Sequence, residues 1–86
     1  MAITVKLFGA LRKFGETVTV DLDNHRELSI PEIRNLLEGR IETSEREALT
    51  SLLEVSAFAD EGRILASDAS IRNGSTVFLL PPVCGG

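Results

Sequence analysis

The chain has one cysteine, one histidine and, beyond Arg72, no charged side chain at all. A single thiol, Cys84, closes no disulfide within the chain, and one cysteine with His25 does not furnish a metal site. Basic charge is also short. The formal net charge is -4, with both signs interspersed, which excludes the basic face that nucleic acid or an anionic membrane requires. The acidity fits a soluble protein whose partner carries a basic docking surface. Long apolar runs are missing too. The opening residues Met1-Ala2-Ile3-Thr4-Val5-Lys6-Leu7 alternate like a strand and contain no signal-peptide apolar region. The longest uncharged stretch, Asn73 to Gly86, is too short and too proline-rich to span a bilayer. The expected setting is the reducing cytoplasm. No nucleophile stands with a base partner, so no catalytic cluster is evident. At 86 residues the chain makes one domain, with room for a sheet and one or two helices but not for a buried multi-residue active site as well. Its hydrophobic content is that of an ordinary folded protein.

What is present is a succession of short periodic segments. Ile3, Val5 and Leu7 alternate with Thr4, Lys6 and Phe8, a period-2 strand with one apolar face. Gly9 to Glu16 connects it to a second alternating run, Thr17 to Leu22, with Val18, Val20 and Leu22 on one side; the two read as a hairpin. Asp23 to Leu28 reads as a polar connection, with His25 a solvated loop residue. Ser29-Ile30-Pro31-Glu32 has capping-box spacing with proline in the first turn. Ile33, Leu36 and Leu37 supply the apolar face of the helix that follows, and Gly39 reads as its stop. Thr43 or Ser44 starts a second helical stretch through Leu53, with Leu49, Leu52 and Leu53 apolar. The charges from Glu38 to Glu54 read as a solvated helical face. Val55 to Ala59 reads as a strand, Asp60-Glu61-Gly62 as a turn, Arg63 to Ala66 as a short return, and Ser67 to Asn73 as a loop with a helical turn anchored by Ile71. Asn73-Gly74 turns into the last strand, Thr76-Val77-Phe78-Leu79-Leu80. That strand is apolar on both faces and is expected at the centre of the sheet.

The sequence ends Pro81-Pro82-Val83-Cys84-Gly85-Gly86. Glycine at a terminus adds backbone entropy and buries no surface, so it contributes little to a fold. It does suit a carboxylate that must enter another protein's active site: without a Cβ, Gly85 and Gly86 pass a narrow channel, and the carboxylate stays open to attack on ATP. Pro81 and Pro82 stiffen the stem. Six extended residues reach roughly 20 Å from the body. The expected organisation is a domain over 1–80 and a flexible tail over 81–86.

Order and patterning match an α+β arrangement, a mixed sheet with one main helix packed on one face, as in ubiquitin-like β-grasp proteins. The strand and loop Val5-Lys6-Leu7-Phe8-Gly9-Ala10-Leu11-Arg12 resemble the MoaD family, the small sulfur-carrier subunit of molybdopterin synthase, related to ThiS and to ubiquitin-like proteins. So, more specifically, does the run from Ile71 through Asn73-Gly74 and the last strand to Pro81-Pro82-Val83-Cys84-Gly85-Gly86. The departure is Cys84, where many relatives carry Ala or Ser. The resemblance implies that an E1-like enzyme uses ATP to adenylate the Gly86 carboxylate, and that a sulfur donor converts the adenylate to a thiocarboxylate. The tail then threads into the large subunit of molybdopterin synthase and gives its sulfur to a pterin precursor. On this reading the chain is a cosubstrate or non-catalytic subunit. It holds no cofactor or metal of its own, ATP being used by the activating partner, and its partners are proteins rather than nucleic acid or membrane.

Gly85 and Gly86 are the expected reacting end. Phe8, Phe78 and Leu80 are the expected docking residues: if Ile3, Val5, Leu7, Val77 and Leu79 face the helix, alternation turns these three outward, unless a loop or the sheet twist covers them. Pro81, Pro82, Val83 and Cys84 complete the partner-binding set. Arg12 and Lys13 are solvated charges or flank Phe8 in docking. Cys84 reads either as a small filler or as a thiol that exchanges with a partner; no neighbouring cation lowers its pKa. The pattern leaves the product open among molybdopterin, thiamin, cysteine and tRNA thiolation, with either Mo or W as the final metal. It also leaves open a lysine-linked protein modifier or a plain β-grasp interaction module.

Overall fold

Alternating β-branched and apolar residues at the N-terminus build the first strand, and the remaining elements assemble around it. The computed structural model describes residues 2–22 and 27–81. In order, these form β1 (Ala2–Leu7), a 3-10 helix (Gly9–Phe14), β2 (Thr17–Asp21), β3 (Glu27–Ser29), α1 (Ile30–Arg40), α2 (Arg46–Val55), β4 (Ala57–Asp60), β5 (Arg63–Ile64), β6 (Ser70–Arg72) and β7 (Thr76–Leu80). The main sheet runs β2-β1-β7-β4-β5, and β3 and β6 form a separate two-stranded sheet. β1 is antiparallel to β2 but parallel to β7, which is in turn antiparallel to β4. A parallel pair cannot be closed by a tight turn; the chain crosses over between β2 and β4, and that crossover carries α1 onto one face. The architecture is the α+β β-grasp, with the apolar β7 at the centre of the sheet.

Ile3, Val5, Leu7, Val77 and Leu79 are buried with Ile33 and Leu37 of α1 and Leu49 and Leu53 of α2. The strand faces therefore lie as alternation predicts. The capping box forms in full: Ser29 Oγ accepts from the Glu32 backbone N–H at 3.3 Å, and Glu32 Oε1 accepts from the Ser29 N–H at 2.9 Å. Together they satisfy two of the amide donors a helix start leaves open.

Several details differ from the expectations. Leu36 is 38% exposed, because the core face of α1 is filled by Ile33 and Leu37. Gly39 lies inside the last turn and does not stop the helix; α1 runs to Arg40 and ends at the extended, buried Ile41. The second helix begins at Arg46 with Glu45 as its cap residue and runs through Val55, which is 59% exposed and not in a strand. Thr43 and Ser44 precede it, and Thr43 Oγ1 accepts from the Glu45 N–H at 3.0 Å. The charges from Glu38 to Glu54 are not all solvated. Thr50 donates its hydroxyl to the Glu38 carboxylate, Arg46 Nη1 donates to the Ile41 carbonyl at 2.6 Å, and Arg34 donates to the Leu53 carbonyl. Arg34 also lies 5.4 Å from the Phe58 ring centre, so it ties both helices to β4.

The segment expected as a loop with a helical turn contains β6. It pairs antiparallel with β3, which begins inside the expected polar connection, and Leu28 sits opposite Ile71. Both are buried. Three residues per strand are too few to show periodicity, and the pairing partner is distant in sequence. His25 lies outside the described residues.

Candidate docking face and carrier stem

The outer face of the sheet, opposite the helices, follows from the register. Thr17, Lys6, Phe78, Ala59 and Ile64 form one continuous cross-strand row over β2-β1-β7-β4-β5. Along β7 the same face carries Leu80, paired with Ala57. Phe8 follows β1 in extended backbone and caps the 3-10 helix. It is 38% exposed, and its ring meets Phe78 edge-to-face, 5.7 Å between centroids at 64°. Such a pair contributes about 0.5–1.5 kcal/mol beyond its buried area. Phe78 and Leu80 are half-buried. The three predicted docking residues are thus brought together, and they line one shallow groove of about 340 Å³ with Ala59, Gly62, Arg63 and Ile64.

Ile64 is the residue that sequence reasoning missed. It is 61% exposed on a strand of two residues. Its outward turn is set by the hairpin before it, where Glu61 at φ 39 and Gly62 at φ 84 occupy the two central positions. Positive φ at both marks the tight hairpin turn that fixes register. An apolar pair, Ile64-Leu65, one residue beyond the two-residue turn Glu61-Gly62 was the available signal, since one of the two must point outward.

The stem is seated by contact at Gly9. This glycine has φ +57, and a Cβ built there would lie 2.7 Å from Pro81 Cγ. Pro81 therefore lies directly on the Gly9 backbone, where only a glycine fits. The β1-to-helix corner holds the end of β7, so the chain leaves the sheet beside Phe8 and Leu80. Pro82, Val83, Cys84, Gly85 and Gly86, expected to bind partners and to react, lie outside the described residues, as does the expected flexibility of the tail beyond Pro81.

Arg12 and Lys13, on the 3-10 helix after Phe8, do not line the groove and are engaged elsewhere. Arg12 Nη2 lies 2.7 Å from Glu16 Oε1 and Lys13 Nζ lies 3.1 Å from Glu45 Oε1. Lys13 also stands 5.3 Å from the Phe14 ring centre. Among the described residues no cluster of three or more metal-ligating side chains occurs, and no helix is long and apolar enough to cross a membrane.

A mixed β-grasp sheet with an apolar outer face and a seated carboxy-terminal stem defines a ubiquitin-like protein. The chain belongs to the ThiS family, whose model matches residues 5–86, and it is a sulfur carrier of the ThiS and MoaD type. Its fold is similar to that of a chain in the complex of subunits 1 and 2 of molybdopterin-converting factor from Helicobacter pylori 26695. That match has TM-score 0.64 and 26% identity, with all of both chains covered. The fold is also similar to SAMP1 from Haloferax volcanii, with TM-score 0.70 and 22% identity over all of both chains. No curated relative matches the chain.

Proposed function

We propose that this chain carries sulfur for molybdopterin synthesis as a thiocarboxylate on Gly86. The observation that supports this reading is the exit of β7. The central strand ends on the apolar docking face, Pro81 is held on Gly9, and the sequence from there is Pro-Pro-Val-Cys-Gly-Gly. The likeness to a chain of a molybdopterin-converting factor complex favours the pterin among the possible sulfur acceptors.

The chemistry runs in three steps. A Gly86 carboxylate oxygen attacks the α-phosphorus of ATP in an E1-like enzyme, and pyrophosphate leaves. A sulfur donor attacks the acyl carbon, and AMP leaves, giving the thiocarboxylate. In the large subunit of the synthase the sulfur passes to the pterin precursor, and water restores the carboxylate. The acid–base groups belong to the partners. This chain supplies a carbonyl that no side chain crowds, a stiff stem, and an apolar face that docks the activating enzyme and the synthase subunit in turn.

Intact-protein mass spectrometry tests the reading. Protein taken from its own cells shows Gly86 as the terminal residue and a fraction bearing the increment of an oxygen-to-sulfur exchange. In a reconstituted assay with activating enzyme, ATP and sulfide, deletion of Gly86 leaves the fold intact and abolishes sulfur transfer to the pterin precursor. A Gly86-deleted protein that still supports molybdopterin formation overturns the proposal.

A further inference from the structure

Asn73 and Gly74 turn the chain from β6 into β7, and neither the docking face nor the stem accounts for them. Across the turn Ser75 N–H donates to the Arg72 carbonyl at 3.1 Å. Gly74 has φ +89 while Asn73 has no positive φ, which makes this a type II turn with glycine at its third position. The Gly74 N–H donates to the Ala2 carbonyl at 3.1 Å, and the Ser75 carbonyl accepts from Thr4 N–H at 2.9 Å. The start of β1 therefore holds both residues that follow Asn73. The Asn73 side chain itself is held by nothing: it makes no hydrogen bond among the described residues, and its Oδ1 is buried without a donor. A buried carbonyl in that position has lost its hydration and gained no bond. Nothing anchors the carboxamide against turning onto the next peptide nitrogen.

We infer that Asn73 is a site of spontaneous deamidation whose rate is set by the opening of the Gly74–Ala2 hydrogen bond. The Gly74 nitrogen attacks Asn73 Cγ and gives up its proton. The N–Cγ bond forms, the Cγ–Nδ2 bond breaks, and the side-chain nitrogen leaves as ammonia, closing a succinimide ring. Water then opens the ring. Attack at Cγ leaves aspartate; attack at the Asn73 main-chain carbonyl carbon leaves isoaspartate, with the chain running through Cγ. Glycine permits the first step because no Cβ shields its nitrogen, and the space where a Cβ would stand is empty to 4 Å. The other asparagines lack this partner: Asn24 precedes His25, and Asn35 precedes Leu36 within α1. While the Gly74 N–H is bonded to Ala2, its nitrogen does not face Cγ. The reaction belongs to the molecules in which the start of β1 has lifted, and strand ends lift at far smaller cost than global unfolding. The isoaspartyl product adds one main-chain atom to the turn. It displaces Ser75, whose carbonyl bonds Thr4 just before the Thr4–Thr76 pairing of β1 with β7. It also adds a carboxylate to a chain of net charge -4. The site thus couples the age of the molecule to the hold on its central strand, independently of what Gly86 carries.

The test uses the full chain in mildly alkaline buffer, folded and in unfolding urea. Intact mass follows the amide-to-acid increment, and fragmentation maps it. The increment falls on Asn73 in both conditions. The folded chain acquires it roughly ten- to a hundredfold more slowly than the unfolded chain, the protection of a strand end that opens locally. Hydrogen exchange at the Gly74 amide is slowed by the same factor. Ala2→Gly adds backbone freedom at the start of β1; it speeds conversion of the folded protein roughly two- to fivefold and leaves the unfolded rate unchanged. Asn73→Gln, whose longer side chain closes a larger ring far more slowly, does not convert on this timescale. The converted fraction, separated by its extra charge, melts below the parent. Equal rates folded and unfolded, protection as large as that of the slowest core amides, conversion only at Asn24 or Asn35, or an unchanged folded rate in Ala2→Gly overturns the inference. If Ala2→Gly does not fold, wild type in urea below its unfolding transition decides the matter. Conversion at Asn73 and exchange at Gly74 then rise in parallel, and a divergence between them overturns the gate.

Discussion

Substituting Gly9 by alanine tests whether the stem of the tail is held by the corner after β1. Two independent costs fall on the new Cβ. The backbone sits at φ +57, a left-handed conformation that costs an L-residue about 1–2 kcal/mol. The Cβ also lies 2.7 Å from Pro81 Cγ, and relieving that overlap by shifting the proline costs about 1–3 kcal/mol. Together they remove about 2–5 kcal/mol from a domain whose total stability is expected near 4–13 kcal/mol, lowering the melting temperature by about 4–8 °C per kcal/mol. A double-mutant cycle in urea separates the two. In a Pro81→Ala background the Cγ and Cδ are gone, so Gly9→Ala costs only the backbone part. The entropy that Pro81→Ala returns to the unfolded chain appears on both sides of the cycle and cancels. The expected coupling is about 1–3 kcal/mol. An equal cost of Gly9→Ala in both backgrounds refutes the contact, and with it the argument that the sheet aims the tail.

Phe8→Asp or Leu80→Asp lowers partner affinity at least about tenfold and costs binding more than stability, the Phe8 change removing from the fold the edge-to-face contact with Phe78 at about 0.5–1.5 kcal/mol; parallel losses of stability and binding mean that these side chains belong to the core. Ser29→Ala removes the acceptor that meets the Glu32 N–H and costs about 1 kcal/mol in denaturant unfolding; no change means that the cap does not support α1. Cys84→Ala retains most sulfur transfer in the reconstituted assay, because the acyl chemistry at Gly86 is complete without a second thiol and no cation stabilises a thiolate in the tail sequence. Near-total loss with native folding makes the thiol a carrier.

Much of this protein was legible in its residues. Period-2 alternation located β1, β2 and β7 and assigned their faces, because burying one side of a strand leaves a single consistent phase. The Ser29 and Glu32 spacing located the start of α1, because a helix end must satisfy its own amides locally. The uninterrupted apolar run from Val77 to Leu80 and the Pro-Pro-Val-Cys-Gly-Gly ending carried the family resemblance. These signals are local: each needs only neighbours within a few residues.

What tertiary structure alone decided depends on pairs distant along the chain. The two-stranded sheet joins Glu27–Ser29 to Ser70–Arg72, and neither segment is long enough to declare itself without the other. Leu36 looks like a core residue by spacing but faces outward, because the core volume is already filled by Ile33, Leu37, Leu49 and Leu53. The seat of Pro81 on Gly9 joins the two ends of a parallel strand pair. The row from Lys6 through Phe78 to Ile64 crosses four strands of the sheet. Periodicity states which way a side chain points, but only the register of the assembled sheet states which side chains it stands beside. That register is what gathers Phe8, Phe78, Leu80 and Ile64 into one groove.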